Sequence, residues 1–145
     1  VGARLMSLRH PENKMSKSAD DINGTIYFDD TKDKIMKKFK SSVTDSEDEI
    51  RYDLESKIGI SNLIDIYSSV KGISHKEVEK KFSSSKYGEF KIEVGEAVSN
   101  YLEPIFSKYD SLSDKEIMSL MDINLNVAKS SAKKTMEEVN SLLGI

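Results

Sequence analysis

The sequence predicts an all-α protein, a helical bundle with an irregular N-terminal arm. Three observations carry that prediction. Apolar residues recur every three or four positions from Ile60 to Leu142, the period of a one-sided helix. Ser74-His-Lys-Glu77 and Ser113-Asp-Lys-Glu116 both have capping-box spacing, in which serine and glutamate side chains satisfy the free N–H groups of a first helical turn. The composition, 37% hydrophobic against 32% charged, suits helices with solvated outer faces rather than a thick buried sheet.

The N-terminal arm comes first. Val1 to Leu8 is a short apolar stretch that reads as a strand end, broken at His10-Pro11 because proline disfavours helix at the residue before it. Glu12 to Ser18 is polar and lysine-rich, and Asp20-Asp21 with Asn23-Gly24 gives a turn signal. Residues 1–24 are therefore expected to form an exposed arm, mobile or held by a neighbouring molecule. Thr25 to Phe28 is a short β-prone run. Asp29 and Asp30 stand where they can cap a helix starting near Thr31. Ile35, Met36 and Phe39 give that helix a narrow apolar face ringed by lysines. Residues 41–57 are polar and acidic and read as irregular, with Val43, Ile50, Tyr52 and Leu54 as anchors.

The remainder reads as helices. Ile60, Leu63, Ile64, Tyr67 and Val70 mark an amphipathic helix that Gly72 stops. The first capping box opens a short helix packing Val78 and Phe82. A long helix is expected from Tyr87 to Tyr109, with Phe90, Val94, Ala97, Val98, Leu102, Ile105 and Phe106 inward and Pro104 kinking or splitting it. The second capping box opens a helix through Ile117, Leu120 and Met121. A separate last helix, 126–143, is expected to bury Val127, Ala128, Ala132, Met136, Val139 and Leu142.

Charge and composition restrict function. With 22 basic and 25 acidic side chains the formal net charge is −3, so any RNA contact needs a local basic surface. The absence of cysteine excludes disulfides and thiolate metal sites. His10 and His75 are too few and too far apart to suggest a metal cluster, and no metal site is expected. No apolar run approaches the ~20 residues a membrane helix needs.

The stretch that carries chemistry is Lys14-Met15-Ser16-Lys17-Ser18. Two lysines three apart on a flexible loop can close on a polyphosphate, with a hydroxyl and backbone N–H groups beside them. Ammonium groups on long stems can follow the charge that develops on pyrophosphate as it leaves an α-phosphorus. Loop mobility would let the site expel water and later release product. By composition alone, an ordinary solvated surface loop accounts for the same five residues. No glycine-rich phosphate loop and no Ser/His/Asp arrangement competes with it.

The pentapeptide is identical to the KMSKS signature of class I aminoacyl-tRNA synthetases. Gly2-Ala-Arg-Leu-Met-Ser-Leu8 before it resembles the matching segment of bacterial-type tryptophanyl-tRNA synthetases. Val43-Thr-Asp-Ser46, Arg51-Tyr-Asp53, Lys57-Ile-Gly-Ile-Ser-Asn-Leu63, Tyr87-Gly88 with Lys91, and Ala128-Lys129 with Ala132 and Thr135 follow in that family's order. The resemblance covers essentially the whole chain. Ala19 departs from it, since many members carry an acidic residue there and here Asp20 and Asp21 come one step later.

That resemblance implies the C-terminal part of a tryptophan–tRNA ligase, which activates tryptophan with Mg-ATP and charges tRNA(Trp). Residues 1–24 would be a signature-loop arm left from the catalytic domain, and 25–145 a helical anticodon-side domain. Lys14 and Lys17 would be catalytic charge donors, with Met15, Ser16 and Ser18 completing the ATP-binding loop and Leu5 lining the adenine pocket. Magnesium would not be held by residues of this chain. The nucleotide-binding fold should lie before Val1, so the chain alone should be inactive. A homodimeric parent and a cytoplasmic setting are implied, with an organelle left open, and neither DNA nor a membrane is expected as a partner. Two alternatives stand beside this: a tyrosyl relative, and a non-enzymatic helical interaction module with a chance match in the loop. Val43–Ser46 and Gly59–Leu63 argue against the tyrosyl reading.

RNA contacts have weaker candidates. Lys129, Lys133 and Lys134 make a small basic patch on the last helix, and Lys37, Lys38 and Lys40 another; an ordinary solvated face explains each as well. Tyr67, Tyr87, Tyr101 and Tyr109 could stack on bases, but tyrosines at helical spacing are more often core.

Overall fold

The computed structural model describes residues 4–145, and the expectations placed on Val1, Gly2 and Ala3 lie outside them. Among the described residues the regular elements are one 3-10 turn, Ile22–Gly24, and five helices: α1 Lys32–Lys40, α2 Ile58–Lys71, α3 His75–Lys81, α4 Tyr87–Ser111 and α5 Asp114–Leu143. The all-α class is as predicted. The β-prone runs form no strand among these residues, only an isolated antiparallel bridge between Met6 and Lys14.

Local chemistry sets the helix ends. Both capping boxes form: Ser74 and Glu77 close the start of α3, and Ser113 and Glu116 that of α5. Gly72 ends α2 at φ 66°, in the left-handed region that glycine enters without penalty, and its N–H caps the Ser68 carbonyl. Thr31, not an aspartate, caps α1, because Asp30 is turned inward to Lys38. Pro104 sits inside α4 without splitting it.

Two compact units result, Val1–Phe106 and Ser107–Ile145. The first is built on one apolar cluster. Ile35 and Phe39 of α1, Ile60, Leu63, Ile64 and Tyr67 of α2, Val78 of α3, Phe82, and Phe90, Val94 and Val98 of α4 are all buried in it. Phe82 lies between Tyr67 and Phe90, with ring centroids 5.2 and 4.8 Å away in edge-on and tilted arrangements. α1 packs closely on α4 at Gly95, where a Cβ would lie 2.8 Å from the Met36 sulfur. Ile105, expected inward, is 46% exposed, whereas Phe106 packs against the cluster.

The arm is not loose. Leu8 is 1% exposed and belongs to the apolar cluster. Its N–H donates to the Gly24 carbonyl at 2.9 Å, and its own carbonyl accepts from Val43 N–H at 2.8 Å. A Cβ on Gly24 would fall 2.3 Å from the Ser7 hydroxyl, so this turn closes tightly only with glycine. The expectation of mobility fails because apolar Leu8 and the backbone around it find partners far along the chain.

In the second unit α5 is one continuous helix where two were expected. No glycine or proline interrupts Asp122–Asn126, so nothing ends the first segment. Nor is α5 buried: Val127, Met136 and Leu142 are 66%, 53% and 87% exposed. Apolar periodicity marks a face fit for burial and does not say what covers it.

Candidate functional site

Lys14–Ser18 closes a short hairpin whose other side is Leu5–Ser7. Met15 N–H donates to the Leu5 carbonyl at 3.0 Å and Ser7 N–H to the Asn13 carbonyl at 2.8 Å, bracketing the Met6–Lys14 bridge. Met15 and Leu5 are half-buried and pack against the apolar cluster, so Met15 anchors the loop by its side chain. The Leu5 carbonyl is committed to the hairpin, and a purine contact through Leu5 would use its N–H or the carbonyl's second lone pair.

The loop tip projects outward. Lys14, Ser16, Lys17 and Ser18 are all exposed. Ser16 folds the tip: its hydroxyl accepts from Ser18 N–H at 3.3 Å and lies 3.1 Å from the Ser18 hydroxyl. In this part of the chain Arg9 pairs with Asp21 at 3.8 Å, and the His10 ring lies 3.9 Å from Asp21 and 3.5 Å from Glu12. Both loop lysines are exposed, and Asp21 is engaged by Arg9 and His10.

Buried polar groups support the tip from below. Thr25, 3% exposed, donates its hydroxyl to the Ser16 carbonyl at 2.9 Å, and the Tyr27 hydroxyl reaches the Lys17 carbonyl at 3.4 Å. Lys38 of α1 fixes that segment, donating to the Thr25 carbonyl at 2.8 Å and to Asp30 at 2.5 Å, with its ammonium 4.7 Å from the Tyr27 ring centre. Lys38, placed in a basic surface patch by sequence, is 7% exposed and unavailable to RNA; Lys37 and Lys40 stay exposed. From α2, buried Asn62 accepts from Met6 N–H at 2.9 Å and donates to the Met6 carbonyl at 2.8 Å. Sequence reasoning gave Asn62 and Thr25 no role at the loop and put Lys38 on an RNA-facing surface. The available signal was a polar residue at a helix position whose neighbours, Ile60 to Leu63, require burial.

Behind the arm, residues 41–57 are irregular as predicted, but Val43 and Leu54 are exposed and do not anchor them. Lys57 does. Its side chain is fully buried, and its ammonium meets Asp45 at 3.1 Å, Glu47 at 2.6 Å and the Tyr87 hydroxyl at 3.1 Å. Burial pushes the Lys57 ammonium down, and the hydrogen bonds to Glu47, Tyr87 and Asp45 more than reverse it, leaving the group above its ordinary value. Burial likewise raises Asp45, and hydrogen bonds from Tyr87, the Glu47 backbone and Lys57 outweigh it, so Asp45 stands below the usual carboxylate range. Lys91 ties α4 to the same segment through the Ser42 carbonyl at 2.8 Å.

A family model described as tRNA synthetases class I (W and Y) matches residues 2–103. The chain belongs to that family. The match runs far beyond the pentapeptide, which disposes of a likeness confined to the loop. Among curated relatives, the tryptophan–tRNA ligase of Oceanobacillus iheyensis is 43% identical over 146 residues, spanning 100% of this chain and 45% of that protein. The tryptophan–tRNA ligase of Bacillus subtilis is 38% identical over 146 residues, with 100% and 44% covered. A solved tryptophanyl-tRNA synthetase from Mycoplasma pneumoniae superposes with a TM-score of 0.82 at 28% identity, covering 98% of this chain and 44% of that one. The chain thus spans just under half the length of the synthetases it matches.

The other candidates are lysines of α5 and four tyrosines. Lys129, Lys133 and Lys134 are exposed on α5, and Lys133 lies 3.7 Å from Glu137 one turn on, which dilutes the patch. Of the four tyrosines, Tyr67 and Tyr87 are core, while Tyr101 and Tyr109 are 59% and 74% exposed. Among the described residues no group of three or more His, Cys, Asp or Glu is placed to hold a metal. Among the described residues no helix is long and apolar enough to cross a membrane.

Proposed function

We propose that this chain is the C-terminal part of a tryptophan–tRNA ligase of the cytoplasm, and that Lys14–Ser18 is its ATP-phosphate loop. The observation that carries the reading is the loop itself: two exposed lysines on a tip whose backbone is held by Thr25, Tyr27 and the Leu5–Ser7 segment. In the reaction, a tryptophan carboxylate oxygen bonds to the α-phosphorus of ATP, and the bond to the bridging oxygen breaks. Pyrophosphate leaves with the electron pair. Lys14 and Lys17 lie against the β- and γ-phosphates and stabilise the charge accumulating there, aided by the hydroxyls of Ser16 and Ser18. Met15 seats the loop, and Leu5 borders the adenine through its backbone.

Magnesium accompanies ATP in such chemistry and screens the phosphate charge. The tip offers ammonium groups and hydroxyls, which suit phosphate oxygens, and Asp21 is engaged by Arg9 and His10, so we assign no magnesium ligand to the loop. Residues 1–24 carry the phosphate side of the site and 25–145 the tRNA side, where Lys129, Lys133 and Lys134 position tRNA(Trp) phosphates without reading sequence. The parent acts as a homodimer. The tryptophan ligases among the relatives, at 38–43% identity, favour tryptophan over tyrosine as the amino acid.

The test is amino-acid-dependent ATP–pyrophosphate exchange by the full-length protein, with tryptophan and tyrosine in separate assays. Exchange with tryptophan alone supports the reading. Exchange with tyrosine alone moves the chain to the tyrosyl branch, and clear exchange by residues 1–145 alone would sink the assignment of the nucleotide-binding fold elsewhere.

A further inference from the structure

We infer that Asn62 is a positioning residue for the phosphate loop, acting through Met6; this rests on the reading of Lys14–Ser18 as that loop. A carboxamide is costly to bury among Ile60, Leu63 and Ile64 unless its groups are paired. Asn62 is 3% exposed and spends both ends of its amide on one residue 56 positions away, taking Met6 N–H at 2.9 Å and giving to the Met6 carbonyl at 2.8 Å. Two bonds to one residue, one to each of the peptide groups that flank its Cα, fix its orientation as well as its distance.

Met6 is the residue bridged to Lys14, and Leu5 and Ser7 on either side hold Met15 and Asn13. The Lys14 backbone is therefore registered against α2 through Asn62. Without that clamp the hairpin keeps its own bonds and its packing through Leu5, Leu8 and Met15, but loses the two hydrogen bonds that register it against α2. The ammonium groups then search a wider volume and meet the leaving phosphates less often in line. A misplacement of about 1 Å at a charge-stabilising group costs up to ~100-fold in rate.

The discriminating experiment compares N62A with V78A in the full-length protein. Val78 is fully buried on α3, so V78A lowers stability without touching the loop. In tryptophan-dependent pyrophosphate exchange, N62A is expected to raise KM for ATP about tenfold and lower kcat about tenfold, leaving KM for tryptophan within about twofold. V78A should lower the thermal midpoint comparably and leave both KM values alone. N62D keeps the acceptor for Met6 N–H and loses the donor, so it should fall between wild type and N62A. Equal behaviour of N62A and V78A overturns the inference while the functional reading stands. No exchange in the wild type overturns both. Amide exchange on the wild type tests the clamp without any variant: Met6, Ser7 and Met15 should be as protected as α2, with Lys17 and Ser18 fast. Fast exchange at Met6 and Met15 overturns the clamp outright.

Discussion

Replacing Lys57 by methionine keeps the length and packing of the stem and deletes the ammonium. The structure says where the cost falls. Glu47, 57% exposed, rehydrates at little expense once its partner is gone. Asp45 is different: its side chain is 19% exposed, and its second carboxylate oxygen is buried with no hydrogen-bond partner. The first oxygen keeps the Tyr87 hydroxyl at 2.7 Å. Removing one member of a buried pair costs ~3–5 kcal/mol. Part of Asp45 reaches water, and methionine restores apolar contact, so the expected loss here is about 2–3 kcal/mol. Against a total of ~5–15 kcal/mol for a domain, that is a large fraction. Urea unfolding read by near-ultraviolet circular dichroism of buried Tyr67 and Tyr87 measures it in the first unit. With a slope of ~1–3 kcal/mol per molar, the midpoint should fall by about 0.7–3 M at unchanged slope. E47Q should cost less than ~1 kcal/mol. If K57M costs under ~1 kcal/mol, or E47Q costs as much as K57M, the network is not the anchor of residues 41–57.

Three further outcomes are expected. Asp45, Asp48 and Asp53 all stand below the ordinary carboxylate value, Asp53 furthest, through hydrogen bonds from Ser56, Arg51 and the Glu55 backbone. The stability they contribute is complete above their unfolded value of about 4 and is lost as pH falls through their lower folded values. Amide exchange should therefore show residues 43–57 loosening below about pH 4 before α2 does; simultaneous loss would contradict this. Gly59→Ala puts a Cβ 2.2 Å from the Val43 carbonyl, which cannot give way, and should cost ~2 kcal/mol or more in urea unfolding. Gly95→Ala crowds the movable Met36 sulfur at 2.8 Å and makes ordinary contact with Phe39 at 3.4 and 3.5 Å, and a gain in helix propensity of ~1 kcal/mol should bring it near neutral.

What could be read in the sequence was local. Ser74 and Ser113 with their glutamates, the stop at Gly72 and the inward run Phe90 to Leu102 depend on residues within a few turns, and all appear in the structure. What could not be read depends on distant partners. Lys57 and Lys38 look like surface lysines until Asp45, Tyr87, Asp30 and the Thr25 carbonyl are placed around them. Asn62 hides for the same reason, its partner being 56 residues away. Leu8 was assigned to a loose arm because nothing near it in sequence could bury it. The face of α5 was assigned to a core because its periodicity is that of a buried helix. For the candidate site, the five residues of the loop were plain in the sequence and the layer that holds them was not.

The central claim is that Lys14 and Lys17 stabilise the departing pyrophosphate. Its most direct test is tryptophan-dependent pyrophosphate exchange by the full-length protein carrying K14A or K17A. Each variant is expected to lose at least ~100-fold in kcat, as for removal of one donor from a charge-stabilising site, with KM for tryptophan and the thermal midpoint unchanged. Exchange at wild-type rates in both variants would contradict the claim and return the loop to an ordinary solvated surface.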